Sequence, residues 1–360
     1  MFNIYHSCRS LTSVVLPQSV DTIGRKAFWG CTSLEQRNIP NGVKAIEEST
    51  FRECSSLIGI SLPQSIASIG ETAFKNCLAL VAINFPKGLE KINESAFEGC
   101  SSLRELTIPA SCKEIRNYAF QGCKIQKLVL EDSKESLKLG YNYVHTNSSW
   151  DFFDYRNLFS DAEIDTLYWG RPIEQPNEWC GYYNTGKRYN EGYGVFGNGI
   201  NKIVVGDFIT DEDINNGVTK SLFHNSNNGL SREYYHSLTS WYHHVTFGKG
   251  ISTIPDLTYN TALDTIIVLS ANPPAAEGFS NKTYMNCTLC VPVGCKTSYQ
   301  SAEIWKNFWN IEEISSATDN IVISTSNEPS DDRFYNLNGL RVKQPAKGVY
   351  IRNGKKIVIH

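Results

Sequence analysis

A parallel-stranded solenoid is the fold this chain predicts, and three observations predict it. Cysteine recurs at Cys8, Cys31, Cys54, Cys77, Cys100 and Cys123, always 23 residues apart. A leucine follows three residues later at Leu11, Leu34, Leu57, Leu80 and Leu103, and a proline ends each apolar stretch at Pro17, Pro40, Pro63, Pro86 and Pro109. An aromatic closes each unit at Phe28, Phe51, Phe74, Phe97 and Phe120. A fixed period of this length is the signature of stacked coils, and it falls in the leucine-rich range of roughly 20–29 residues.

Within a unit the order is L-x-x-I-x-L-P, as in Leu57–Pro63. The alternation of Ile60 and Leu62 is the two-residue period of a half-buried strand, and proline ends the strand because it has no N–H to give to a ladder. A second apolar pair follows: Val20/Ile23, Val43/Ile46, Ile66/Ile69, Leu89/Ile92 and Cys112/Ile115. Next comes a turn position held by Gly24, Gly70 or Asn93, types that tolerate positive φ. The small-aromatic pairs Ala73-Phe74 and Ala96-Phe97 are expected on a short helical turn that plugs the interior. One coil buries too little to order itself, so stability must come from stacking.

The phrase C-x-S-L-x-x-I-x-L-P-x-S-V-x-x-I-G-x-x-A-F-x-x, carried at Cys8–Gly30 and Cys54–Asn76, resembles the bacterial BspA-like leucine-rich repeat family of Bacteroidetes type. The resemblance implies a right-handed leucine-rich-repeat solenoid. Such a fold is β-rich with short helical turns and has parallel strands on a concave face. It also implies an extracellular or cell-surface protein of adhesive type with no catalytic residues and no cofactor.

Residues 1–130 thus read as regular repeats. At the start, Tyr5 sits in the aromatic slot before Cys8, so the chain is expected to begin mid-array, its signal peptide lost with a missing N-terminus. After Cys123 one residue drops out, and residues 131–316 become irregular. Echoes of the strand phrase remain at Ile164/Leu167/Trp169, Ile200/Ile203/Val205, Tyr242/Val245/Phe247 and Leu263/Ile266/Val268, with uneven insertions between them. The segment from Asn272-Pro273-Pro274 through Leu289–Gly294, Tyr299, Trp305 and Phe308–Ile314 reads as a closing coil. Residues 317–332 read as a linker. Residues 333–360 read as a small β tail of two or three antiparallel strands, with Asn338-Gly339 and Asn353-Gly354 as hairpin turns. The tail resembles the C-terminal sorting or anchoring domains of exported Bacteroidetes proteins.

Net charge is -3 with 41% hydrophobic residues, which gives no electrostatic case for nucleic acid. No apolar run reaches the ~18 residues of a membrane span. Stacked cysteines are expected as free, buried thiols, because equivalent side chains run parallel at the ~4.8 Å strand spacing and a disulfide needs converging Cβ atoms. Cys287, Cys290 and Cys295 read as core, a local disulfide or, by their spacing, a zinc set, and the disulfide state of these three and of Cys180 stays open. The pair His243-His244 reads as one exposed and one partly buried histidine. Asp211-x-Asp213-x-Asn215-Asn216-Gly217 reads as a helix N-cap rather than a calcium loop, because position 12 is Leu222 and not the bidentate glutamate. No metal site is expected.

The regular strands face solvent with small or polar residues: Ser13, Gln36, Gly59, Ala82, Glu105, Lys127, Val15, Asn38, Ser61, Asn84, Thr107 and Val129. Aromatic density lies instead between Tyr141 and Phe196, where Trp150, Tyr155, Trp169, Trp179, Tyr182, Tyr183 and Tyr189 are the candidate ligand contacts; Tyr and Trp dominate binding hot spots. The expected function is non-enzymatic binding of a protein partner, such as a host extracellular-matrix or cell-surface protein, by a monomer. The alternative is a glycan-binding module built on residues 141–196.

Overall fold

In a computed structural model, the structure describes residues 6–35, 38–140, 159, 164–174, 196, 200–215, 223, 242–258 and 260–314, together with the backbone of four strands near the C-terminus. The chain divides into two compact units, residues 1–316 and 317–360.

The first unit is a leucine-rich-repeat solenoid whose coils stack through two long parallel sheets and, among the described residues, two parallel strand pairs, one of them Thr253–Ile254 with Ala275–Ala276. The main sheet has eight strands: Glu105–Ile108, Lys127–Leu130, Thr166–Trp169, Lys202–Val205, His244–Phe247, Thr265–Val268, Thr288–Pro292 and Asn310–Ile314, neighbouring one another in chain order. Gly59–Ser61 and Ala82–Asn84 form a separate parallel pair one step earlier in the chain. Register is fixed by the apolar phrase. Leu106, Leu128, Leu167, Ile203, Val245, Ile266, Leu289 and Ile311 align across all eight strands, and all are buried. Every echo of the phrase in the irregular half is therefore a strand, and the insertions leave the register untouched.

The second sheet is built on the second apolar pair. Ala45–Ile46, Ser68–Ile69, Lys91–Ile92, Glu114–Ile115, Leu137–Leu139 and Ile173–Glu174 pair in parallel, with Ile46, Ile69, Ile92, Ile115 and Leu139 in line. From Lys91 onward its outward row alternates in sign: Lys91, Glu114, Lys138 and Glu174. Lys91 meets Glu114 at 2.8 Å and Lys138 meets Glu174 at 3.2 Å. Burial alone would raise the Glu114 carboxyl, but hydrogen bonds from Lys91 and Arg116 outweigh it and hold it below its usual range. A carboxylate with a depressed folded pKa stabilises above its unfolded pKa and loses that contribution as pH falls through the folded one. Glu114→Gln is therefore expected to cost about 1 kcal/mol at pH 7. The difference should shrink in paired urea titrations as pH falls through the range where Glu114 takes up its proton; a gap that does not shrink on acidification would place the cost elsewhere.

Between the sheets runs a column of phenylalanines. Phe28, Phe51, Phe74, Phe97 and Phe120 stack with centroids 5.1–5.4 Å apart and planes within 10°. The column continues beyond the regular repeats through Phe159 at 5.5 Å and Phe196 at 5.9 Å. The turn that carries each ring is not helical. It uses two left-handed residues per coil: Lys26, Ser49, Thr72, Ser95 or Tyr118, and four residues later Gly30, Glu53, Asn76, Gly99 or Gly122. Positive φ thus falls elsewhere than at Gly24, Gly70 and Asn93. Gly70 answers a different demand, since a Cβ there would lie 2.6 Å from the Glu47 backbone of the preceding coil.

The cysteine column packs beside the rings. Cys54, Cys77, Cys100 and Cys123 are wholly buried, and all described cysteines are free. Each thiol donates to the carbonyl of a phenylalanine 26 residues earlier, at 3.1–3.2 Å. Burial pushes the Cys54 thiol up to about 12 and raises the Cys77 and Cys100 thiols as well. The reactive species is the thiolate, so native protein is expected to leave this column unmodified by a maleimide at pH 8. Cys8, which is exposed, should be labelled within minutes. Peptide mapping checks this, and labelling of Cys77 without denaturant would contradict it.

The closing coil packs Tyr299, Trp305 and Phe308 over the last apolar layer. Trp305 Nε1 donates to the Pro274 carbonyl at 2.8 Å, and Tyr299 Oη to that of Ser270 at 2.8 Å. Helices are confined to the irregular half among the described residues: Asp211–Asn215, Asn281–Asn286, Lys296–Ser301 and a 3-10 turn at Trp305–Asn307.

The second unit is a four-stranded antiparallel sheet, one strand more than expected, in the order Arg341–Val342, Phe334–Tyr335, Gly348–Arg352, Lys355–Ile359. Arg352 pairs with Lys355, so two residues, Asn353 and Gly354, join those strands.

Candidate functional site

Alternation along the main sheet sends one set of side chains to the core and the other to the opposite face. On that face the register brings Glu105, Lys127, Thr166, Lys202, His244, Thr265, Thr288 and Asn310 into one row. The next row holds Thr107, Val129, Tyr168, Val204, Thr246, Ile267, Cys290 and Glu312. From the last regular strand onward this second row is mostly apolar and flush: Val129, Val204, Thr246, Ile267 and Cys290 are all buried. The candidate binding face is thus a charged row beside an apolar floor.

Electrostatics single out its centre. Lys202 lies directly beside His244. Burial lowers the Lys202 pKa, with Asp165 opposing that shift and Lys127 adding to it. Burial likewise lowers the His244 pKa. Its neighbour His243 is exposed and closes a 2.7 Å contact from Nδ1 to the Asp264 carboxylate of the next coil. Among the described residues neither Lys127 nor Lys202 has a carboxylate within 4.0 Å. The lysines in the outward row of the second sheet, Lys91 and Lys138, are paired.

At the C-terminal ends of the strands, Tyr168 Oη bonds both oxygens of Asp132 at 2.8 Å. Burial raises the Asp132 carboxyl and the Tyr168 bond opposes it. The turns here are backbone-tight: a Cβ on Gly206 would lie 2.8 Å from Gly170 Cα.

Of the seven aromatic candidates, only Trp169 lies within the described residues, and it is not a ligand contact. It is wholly buried, because its place in the phrase L-x-x-I-x-L points it inward, and its indole N–H donates to the Arg171 carbonyl at 2.7 Å. Trp150, Tyr155, Trp179, Tyr182, Tyr183 and Tyr189 lie outside the described residues, as does Cys180.

Cys287 and Cys290 are buried free thiols and Cys295 is a half-buried one, which sets aside a local disulfide among the three. Among the described residues no three His, Cys, Asp or Glu side chains group to hold a metal ion. Asp211 begins a short helix, Asp211–Asn215. Thr210 caps the helix: its hydroxyl oxygen accepts the Asp213 N–H at 3.4 Å, and the Asp213 carboxylate accepts the Thr210 N–H at 2.9 Å and hydroxyl at 2.7 Å. The Asp211 carboxylate accepts backbone N–H groups of Ser252 and Thr253 on the next coil, and the Ser252 hydroxyl.

Sequence reasoning missed the Lys202–His244 pair, which lies in two separate echoes of the phrase. Aligning those echoes to the regular strands would have placed the two side chains next to each other.

Residues 2–126 and 67–148 match the model of the BspA type leucine rich repeat region, in six copies. No curated protein matches. Among solved structures, the chain is similar to a Treponema pallidum leucine rich repeat protein, with 28% identity over 34% of this chain and 72% of that one and a TM-score of 0.28. A leucine-rich repeat protein from Bacteroides ovatus is 18% identical over 88% of this chain and 87% of its own, TM-score 0.30. A leucine rich cell surface protein from Faecalibacterium prausnitzii is 17% identical over 89% and 83%, TM-score 0.29.

Proposed function

We propose that the chain, whose residues 2–148 match the BspA type leucine rich repeat region, is a non-enzymatic binding protein of the cell exterior. Its partner is a protein, a host matrix or cell-surface component, and the coreless face of the main sheet receives it. One observation carries this reading: eight parallel strands hold one unbroken register, so a single row from Glu105 to Asn310 is presented across eight coils. The outward row of the second sheet, by contrast, is occupied by its own ion pairs. No helix among the described residues is long and apolar enough to cross a membrane. Residues 317–360, a compact unit of their own, serve in this reading as the sorting or anchoring segment.

The test is binding of the full chain to arrayed matrix proteins and arrayed glycans side by side. The expected result is a saturable protein hit weakened about tenfold by Thr166→Arg or Thr265→Arg, one loss of ~1.4 kcal/mol, and untouched by Trp179→Ala. A glycan hit abolished by Trp179→Ala, with silent proteins, would overturn the reading and move the site to residues 141–196.

A further inference from the structure

We propose that Lys202 and His244 together form a carboxylate-binding site for an acidic segment of the protein partner, and that binding there takes up a proton. The inference rests on the reading of the main sheet as the partner-binding face.

The geometry begins with register. Lys202 and His244 are Cα partners on neighbouring parallel strands, so their side chains leave the same face about 4.8 Å apart. That spacing lets both reach one carboxylate. Thr166 flanks Lys202 on the other side and Thr265 flanks His244; both are hydroxyl side chains that add donors without charge. Lys127 stands one strand beyond Thr166. The flush row beside the site, Val204, Thr246 and Ile267, offers an apolar floor to a peptide whose acidic residues alternate with apolar ones.

Every charged group facing His244 enters the argument. On its own strand the neighbour is His243, whose ring is held at 2.7 Å by Asp264 from the following coil. Lys202 comes from the preceding strand, and Asp165 lies in the coil before that. In the free protein, half-burial, Lys202 and His243 work against a proton on His244, which accordingly sits below its ordinary pKa. Asp165 and Asp264 pull the other way and do not prevail. A carboxylate arriving between the two side chains reverses the balance, because an opposite charge at contact distance favours the cation. Affinity therefore rises as pH falls through the range where His244 titrates.

The same count selects the occupant. Two lysines and one histidine, with Glu105, Asp165 and Asp264 close by, give too little net positive charge to hold a polyanion, whose binding grows with the number of cations it neutralises. What the site offers is local: Lys202 and a protonated His244 on adjacent strands can share one carboxylate between them.

The experiment uses the full chain and a fluorescein-labelled Glu-Leu-Glu-Leu-Glu peptide, read by anisotropy at pH 7.5 and 5.5, where glutamate side chains of pKa about 4.3 stay ionised. Binding is expected to tighten about tenfold at the lower pH, roughly one proton's worth of linkage, with net proton uptake seen by calorimetry in two buffers of different ionisation heat. Lys202→Gln should abolish it. His244→Lys should give tight binding at both pH values, a gain that misfolding does not produce. Peptide binding that is equal at both pH values, unchanged in Lys202→Gln, or absent altogether overturns the inference. A heparin oligosaccharide that binds in place of the peptide, with the same dependence on Lys202, overturns the acidic-segment occupant. A matrix-protein hit that ignores pH and Lys202 defeats this inference alone and leaves the partner-binding face standing.

Discussion

Phe74→Ala is expected to cost about 4 kcal/mol, the range found for removing a fully buried aromatic ring. The loss should be visible as a large fall in the urea midpoint. Phe74 has no exposed surface, and its ring lies 5.4 Å from that of Phe51 and 5.1 Å from that of Phe97. Removal opens a cavity the size of a ring between two coils that are each anchored on both sides. Neither neighbour can relax into it without breaking its own stack. The carbonyls of the same column receive the thiols of Cys77, Cys100 and their equivalents, so a shifted ring also disturbs hydrogen bonds one coil away. Phe74→Leu refills most of the volume and should cost less than half as much. Equal losses for the two variants would mean that ring stacking, not volume, dominates. A loss under about 1 kcal/mol for Phe74→Ala would mean that the coils collapse freely.

Arg171→Met should destabilise by about 3 kcal/mol or more, through a different mechanism. Arg171 is wholly buried, yet no carboxylate pairs with it among the described residues. Its guanidinium instead donates to backbone carbonyls: Glu135 at 2.9 and 3.1 Å, Ala110 at 2.9 Å and Pro109 at 3.2 Å. Burial lowers its pKa, with Cys112, Glu135 and Glu131 opposing the shift. These carbonyls belong to two separate turns, one just after the strand Glu105–Ile108 and one opening the irregular half. Replacing the fork by an apolar side chain of similar length leaves carbonyls buried and unpaired, each at about 1–3 kcal/mol. Arg171→Lys should recover only part, because an ammonium lacks the planar five-donor geometry. Hydrogen exchange is the informative readout: protection should fall first at Ala110 and at Glu135–Leu137. A mutant with unchanged protection there would show that the guanidinium is dispensable.

Much of this architecture is legible in the residues themselves, and the parts that are not have physical reasons. The L-x-x-I-x-L phrase survives insertions because the inward positions must meet their neighbours on either side, so Leu167, Ile203, Val245 and Ile266 are readable as strand residues even where spacing fails. The second sheet is not readable, because most of its strands are two residues long and no alternation can register in so short a run. The left-handed turn positions escape because Lys26, Ser49, Thr72 and Tyr118 are not the residue types that advertise positive φ; neighbouring coils hold them there through backbone bonds such as Lys26 N–H to the Glu48 carbonyl at 2.9 Å. Phe159 and Phe196 extend the ring column unseen because the insertions before them break the period. Trp169 is misread for a related reason: composition marks it as an aromatic among aromatics, while its phrase position marks it as core. The charged pair on the binding face is invisible to composition altogether, being a product of register between strands 42 residues apart in sequence.

The ring and thiol columns have one more implication, and it concerns ancestry rather than energy. Each coil of the regular array offers its predecessor and its successor the same surfaces: a ring above a ring, a thiol beneath a carbonyl, an isoleucine beside an isoleucine. Excising residues 55–77 would rejoin Cys54 to Leu78 and place Phe51 directly under Phe97, with no partner exchanged for a different kind. A gene of this design can gain or shed whole units by unequal recombination and still encode a folded product, so its length is free to drift while its cross-section is held constant.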